Sequence, residues 1–210
     1  MDSVAPPQMP RFAENVIVMD ANYVDSVAYD FIVNLEHELK RSIPDCDLPT
    51  LFLCNALDGG VEEGNQEVMV ILVCHKGETR MGHLVPKDLR SEVDGFAFTD
   101  AKLGEFSMAV VEEEDFVIMA GESLLVQVAR VAMSSPDVKR LILVADWQEN
   151  GDRLSDEIED CHEAHVEAGL PKKQITVLTT TPGPQLPEDC EYEQLGYAIL
   201  HCLGISEEEF

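Results

Sequence analysis

The sequence predicts a three-layer α/β domain built on a mostly parallel sheet, with an antiparallel portion contributed by the middle of the chain. Three observations carry that expectation. A short run of β-formers is followed at once by an amphipathic helix. Helix, strand, helix, strand, helix alternate through the last third. A chain of 210 residues with 45% hydrophobic content also suffices for one full core without disulfide or metal staples.

Residues 15–19 (NVIVM) form the opening strand, which ends at Asp20. Beyond it Val24, Val27, Ala28, Phe31, Ile32, Leu35 and Leu39 recur at helical spacing. Pro44 and Pro49 break the chain, and residues 51–54 resume as a strand. The Gly and Asp residues of 57–65 turn it into the apolar run 68–74. Two strands joined in this way suggest an antiparallel pair. Residues 86–93 suit a short helix. Residues 95–98 and 105–111 are further strands, the second running into the acidic cluster 112–115. Ser123 opens a helix that runs to Met133, and residues 141–145 are a buried strand. Asp152 begins a helix closed by Gly169 and Pro171, residues 175–178 are a strand, and Tyr192 begins a final helix closed by Gly204. That alternation is the rhythm of a parallel sheet with right-handed crossovers.

Residues 1–12 read as a flexible lead-in without the basic and apolar regions of a signal peptide, 13–205 as a single α/β domain, and 206–210 as an acidic tail. The longest apolar stretches, 67–74 and 140–145, fall far short of the ~20 residues of a membrane-spanning helix. The six cysteines form no CxxC pair, which suits reduced thiols in a cytoplasmic protein. Forty-one acidic against fourteen basic residues give a formal charge of −27. Long nucleic acid would be repelled by that field, because its affinity rests on Lys and Arg releasing counterions. A divalent metal, a basic protein partner or simple solubility remain as its roles. Edge strands leave a homo-oligomer open.

Ligands of open parallel sheets bind beyond the carboxyl ends of the strands. Asp20 follows the first strand there, with Asn22 and Asp25 just after it, and Asp146 follows the strand 141–145, with Asp152 beginning the next helix. Glu122 opens the helix that feeds this strand. Were Asp20, Glu122 and Asp146 to converge, their mutual repulsion would call for a shared proton or a cation. Mg²⁺ or Mn²⁺, with hard oxygen ligands and retained waters, could supply a nucleophile for a phosphodiester. The competing reading makes Asp20, Glu122 and Asp152 helix caps, meeting free N–H groups and the positive end of the dipole.

The segments VIVMDAN (16–22), GESLLVQV (121–128) and LILVADWQENGD (141–152) resemble, in order and context, the three acidic segments of PIN and NYN-type nuclease domains. The likeness covers about a quarter of the chain. It implies a PIN/Rossmann-like fold, catalytic Asp20, Glu122 and Asp146, and metal held by Asp20, Glu122, Asp146 and Asp152. The sequence departs from that pattern where Trp147 follows Asp146 and the next Asp lies six positions on, and the middle of the chain carries extra strand. Lys139, Arg140 and Arg153 are the only positive charges expected near the site, too few for a long nucleic acid, which ranks an inactive or small-substrate site above an RNA-cutting one. The opening segment through Asp58, Gly59 and Gly60 also resembles an uncharacterised family of bacterial proteins, which implies no function.

Asp146, Gln148, Asn150, Gly151, Asp152 and Glu157 nearly follow a calcium-loop pattern, with Gln at its third position, Arg153 at its eighth and a strand in place of the preceding helix. Cys161 and His165 share a helical face and offer two ligands to zinc, short of a full site, so His162 and His165 read as a surface pair. His37, His75 and His83 have no evident partners. Cys54 and Cys74 lack the electropositive setting a nucleophile needs. No P-loop, GxGxxG, GxSxG or HExxH occurs.

Overall fold

The computed structural model describes residues 11–113 and 122–205. The first ten residues of the expected lead-in, acidic residues 114–115, Gly121 and the 206–210 tail lie outside them. Among the described residues the elements run β1 (Asn15–Asp20), α1 (Ala21–Leu39), β2 (Cys46–Asp47), α2 (Leu48–Asp58), β3 (Gln66–Cys74), β4 (Leu84–Val85), α3 (Leu89–Glu92), β5 (Ala97–Asp100), β6 (Gly104–Glu112), α4 (Leu124–Ser134), β7 (Arg140–Val144), α5 (Trp147–Glu167), β8 (Gln174–Thr179), β9 (Cys190–Gln194) and α6 (Leu195–Cys202).

Seven strands form one sheet in the order β5-β6-β3-β1-β7-β8-β9, and β2 with β4 makes a small separate pair. Six of the seven run parallel, and β5 alone pairs antiparallel, against β6. The chain builds outward from β1 to β3 and β6, then returns to β7 on the other side of β1 and continues to β8 and β9. This is doubly wound order, with its reversal between β1 and β7.

Alternation along the strands divides the core into two layers. Ile17 and Met19 of β1 face a layer made by α1, α2 and α6, whereas Val16 and Val18 face α4 and α5. Because β1 is covered on both sides, residues 16–19 are fully buried and read as an unbroken apolar run. Phe12, assigned by sequence to the lead-in, already packs in the second layer.

Four expectations need correction. Residues 51–54 belong to helix α2: Pro49 sits in its first turn, where a missing N–H costs nothing, and Asp47 caps it by accepting from Thr50 N at 2.9 Å. Consequently β3 has no antiparallel partner; it pairs parallel with β1 and β6. Helix α5 starts five residues before Asp152, because Asp146 is its cap and Asn150-Gly151 continues it. A Cβ on Gly151 would lie 2.7 Å from the Trp147 indole nitrogen, so this glycine lets the ring pack instead of ending the helix. The calcium-loop pattern is therefore helical from Trp147 onward. The last helix starts at Leu195, and the polar stretch Cys190–Gln194 is the parallel edge strand β9.

Candidate functional site

The carboxyl ends of the parallel strands meet at the reversal between β1 and β7, where α1 and α5 leave into opposite layers. Asp20 ends β1 and caps α1, its Oδ1 accepting from Tyr23 N at 3.0 Å. Asp146 follows β7 and caps α5, its Oδ1 accepting from Gln148 N at 2.9 Å. The register β1–β7 pairs Met19 with Val144, which sets these two acids at the same end of neighbouring strands.

Asp20 is 7% exposed. Burial pushes its carboxyl above the usual range; the Tyr23 N–H and the His75 imidazole pull it down, and Glu149 pushes it further up. Glu149 lies in the first turn of α5, so a third carboxylate belongs to this rim. Cys74, at the end of β3, is pushed up to about 12, first by burial and then by Glu112 and Asp20.

Asn22 accepts from His75 N at 2.8 Å and donates to the Glu78 carbonyl at 3.2 Å, while Asp25 accepts from Gly82 N at 3.1 Å and His83 N at 2.7 Å. These two polar residues after β1 thus fasten the loop between β3 and β4 onto α1. His75 Nδ1 lies 3.6 Å from Glu78, while His83 packs on the Tyr29 ring and its Nδ1, 3.7 Å from Asp25, is buried without a hydrogen-bond partner. On the opposite side the Tyr23 hydroxyl accepts from Thr180 N at 3.0 Å and lies 2.9 Å from the Thr180 hydroxyl.

The other expected acids have different surroundings. Glu122 precedes Ser123, the actual cap of α4, and its carboxylate is held by Arg130. Arg130 also donates to Glu157 at 2.8 and 2.6 Å, tying α4 to α5. Asp152 is an exposed residue in the second turn of α5. Lys139 and Arg140 stand at the start of β7, the end remote from Asp20, bonded to Glu14 and to the Gly59 carbonyl at 2.8 Å. Among the described residues no group of three or more His, Cys, Asp and Glu side chains is arranged to hold a metal ion. His162 is buried, contrary to the surface pairing expected, while Cys161 and His165 do meet, Sγ to Nδ1 at 3.7 Å.

Residues 9–210 match the model of a family of unknown function, DUF6621. The chain belongs to that family. No curated protein and no solved structure matches it. Within this DUF6621 chain the PIN and NYN likeness rests on its sequence segments alone. No helix among the described residues is long and apolar enough to cross a membrane.

Two rim residues of the DUF6621 chain escaped sequence reasoning. Glu149 had a usable signal: an acid three residues after the cap Asp146 is the spacing of a capping box. His75 had none, because its approach to Asp20 depends on β3 lying beside β1.

Proposed function

We propose that the rim between β1 and β7 binds a hydrated divalent cation, Mg²⁺ or Mn²⁺, and through it a small phosphate-bearing ligand. One observation carries this reading: Asp20 holds a desolvated carboxyl at the reversal point of the sheet, within the field of Glu149. A cation there relieves both burial and repulsion. Asp20 and Asp146 are the assigned ligands, with Glu149 reaching the ion through its water shell; Mg²⁺ keeps several waters and needs few protein oxygens. Glu122 and Asp152 have no part, since Arg130 engages one and the other sits on an exposed helical turn. The likeness of the acidic segments to PIN and NYN-type nucleases supports a phosphoester as the ligand class. The charge of −27 disfavours a long nucleic acid.

A second reading, a non-catalytic acidic interaction protein, is favoured by the capping bonds of Asp20 and Asp146, which give both residues a structural reason to be acidic. Thermal unfolding of chelator-treated protein with and without millimolar Mg²⁺ or Mn²⁺ separates the two. Asp20→Asn, Asp146→Asn is the reference variant, because Asn caps as well as Asp. A midpoint rise confined to the wild type supports the cation site. An equal response in both proteins overturns it and leaves the interaction reading.

A further inference from the structure

Three of the six cysteines, far apart in the chain, meet in the layer formed by α1, α2 and α6. Cys46 opens β2, Cys54 lies in the second turn of α2, and Cys202 ends α6. Cys46 and Cys202 are buried, whereas Cys54 is only half-buried. The Cys202 thiol shares hydrogen bonds with the thiols of both Cys46 and Cys54, which makes it the common partner of the other two. All three are free thiols. None of them belongs to the rim at Asp20 and Asp146, so what they do is independent of the cation reading.

Thiols in contact suit either a soft metal ion or a disulfide. Metal binding requires thiolates, and two of them around a monovalent ion would carry net negative charge into an apolar layer. Among the described residues no group of three or more His, Cys, Asp and Glu side chains is arranged to hold a metal ion. A disulfide is neutral and fits these surroundings. The bond to Cys202, and then burial, push the Cys54 thiol up; the bond to Cys46, ahead of burial, pushes Cys202 up, so both stay protonated at neutral pH. Their first reaction is therefore slow, and position selects the product: Cys54 has the most open surface of the three, and its resolving partner already stands at hydrogen-bonding distance. We propose that Cys54 and Cys202 are an oxidant-responsive pair, joined as a disulfide by hydrogen peroxide. The Cys54 sulfur attacks one peroxide oxygen and the O–O bond breaks; the departing hydroxide takes the thiol proton as water, leaving a sulfenic acid. The Cys202 sulfur then attacks the Cys54 sulfur, the S–O bond breaks, and a second water leaves with the Cys202 proton. Two thiols are oxidised and one peroxide is reduced to two waters. The link closes a loop of about 150 residues and ties α6 to α2.

The test treats the full chain, reduced and freed of metal by a chelator, with millimolar hydrogen peroxide under native conditions. Remaining thiols are blocked with iodoacetamide, and linked peptides are identified by mass spectrometry without reduction. A Cys54–Cys202 link is expected in the wild type and in Cys46→Ala. Cys54→Ala should leave Cys202 a free thiol, because Cys46 is sealed from the oxidant. A wild-type Cys202 still free after Cys54 has been oxidised to sulfinic acid would overturn the pairing, as would a link to Cys46 in its place or a link formed only in urea. Melts of the wild type keep the test independent of how the variants fold. The oxidised protein should unfold roughly 10 °C higher than the same sample after a phosphine reductant has opened its disulfide. A midpoint unchanged or raised by that reductant would overturn the proposal, because the link would then not fit the native packing.

Discussion

Asn55 is fully buried on α2, yet neither its Nδ2 nor its Oδ1 has a hydrogen-bond partner. Its neighbours in the chain, Phe52 and Ala56, belong to the apolar layer beneath the sheet. Leucine has the same branching and the same number of side-chain heavy atoms, so Asn55→Leu removes both unpaired polar atoms with little change of shape. An unsatisfied buried polar group costs roughly 1–3 kcal/mol, and two on one amide, less some overpacking by the larger methyls, should leave about 2 kcal/mol of stabilisation. At roughly 2–4 °C per kcal/mol for a chain of this size, the unfolding midpoint should rise by about 4–8 °C. Circular dichroism melts of wild type, Asn55→Leu and Asn55→Ala measure this. The alanine variant trades the same relief against a small void and should stay within about 1 kcal/mol of wild type. A midpoint lowered by more than about 4 °C in both variants would refute the reasoning, because the amide would then be making hydrogen bonds that matter.

Other perturbations follow from the same geometry. Asp20 binds its proton more tightly folded than unfolded, so its penalty is present at neutral pH and relieved as pH falls toward the unfolded value of 3.8. Asp20→Asn, which keeps the α1 cap, should therefore be at least as stable as wild type in urea at pH 7, with the gap closing toward pH 4. Asp20→Ala loses the cap and should be weaker than Asp20→Asn by about 1 kcal/mol; an asparagine variant weaker than wild type at pH 7 would sink the idea. Arg130→Met leaves Glu122 and Glu157 facing each other without their shared cation and should cost about 1 kcal/mol at low salt, shrinking at 1 M salt. No change at either ionic strength would show that the network contributes nothing. Cys74, pushed up to about 12 from 9.0, should carry about a thousandfold less thiolate at pH 8 than a free cysteine and resist alkylation in the native state. Its favoured protonated form contributes stability that is complete below pH 9 and lost as pH rises toward 12; mass-spectrometric labelling of Cys74 at the rate of a free thiol would contradict this.

Legibility in the sequence followed how local each determinant was. The unbroken apolar run at residues 16–19 and the helical spacing from Val24 to Leu39 placed β1 and α1 correctly, since strand burial and helix period are properties of neighbouring residues. Pro49 and the Asn150-Gly151 pair misled for a common reason: both residue types usually interrupt helices, and only position decides otherwise. Pro49 falls in a first turn, and Gly151 makes room for an indole four residues earlier. Strand β9 has no apolar core pattern of its own; it exists because β8 offers it an edge. At the rim, Asp20 and Asp146 were identifiable as acids ending buried strands, and the register brings them to one end of the sheet. Sequence gives no hint that Arg130, two turns along α4, engages the Glu122 carboxylate together with Glu157 of another helix.

The two aspartate caps carry a consequence for charge selectivity. In a doubly wound sheet the helix amino termini at the reversal point are the natural seats for phosphate, because their free N–H groups point outward and their dipoles are positive. Here each of the two termini is stoppered by its own carboxylate, Asp20 on one and Asp146 on the other. The scaffold thereby meets an approaching anion with carboxylates where bare termini would offer N–H groups. Its sign preference resides in two side chains instead of in the fold, and exchanging both for glycine would restore the bare amino termini on an unchanged sheet.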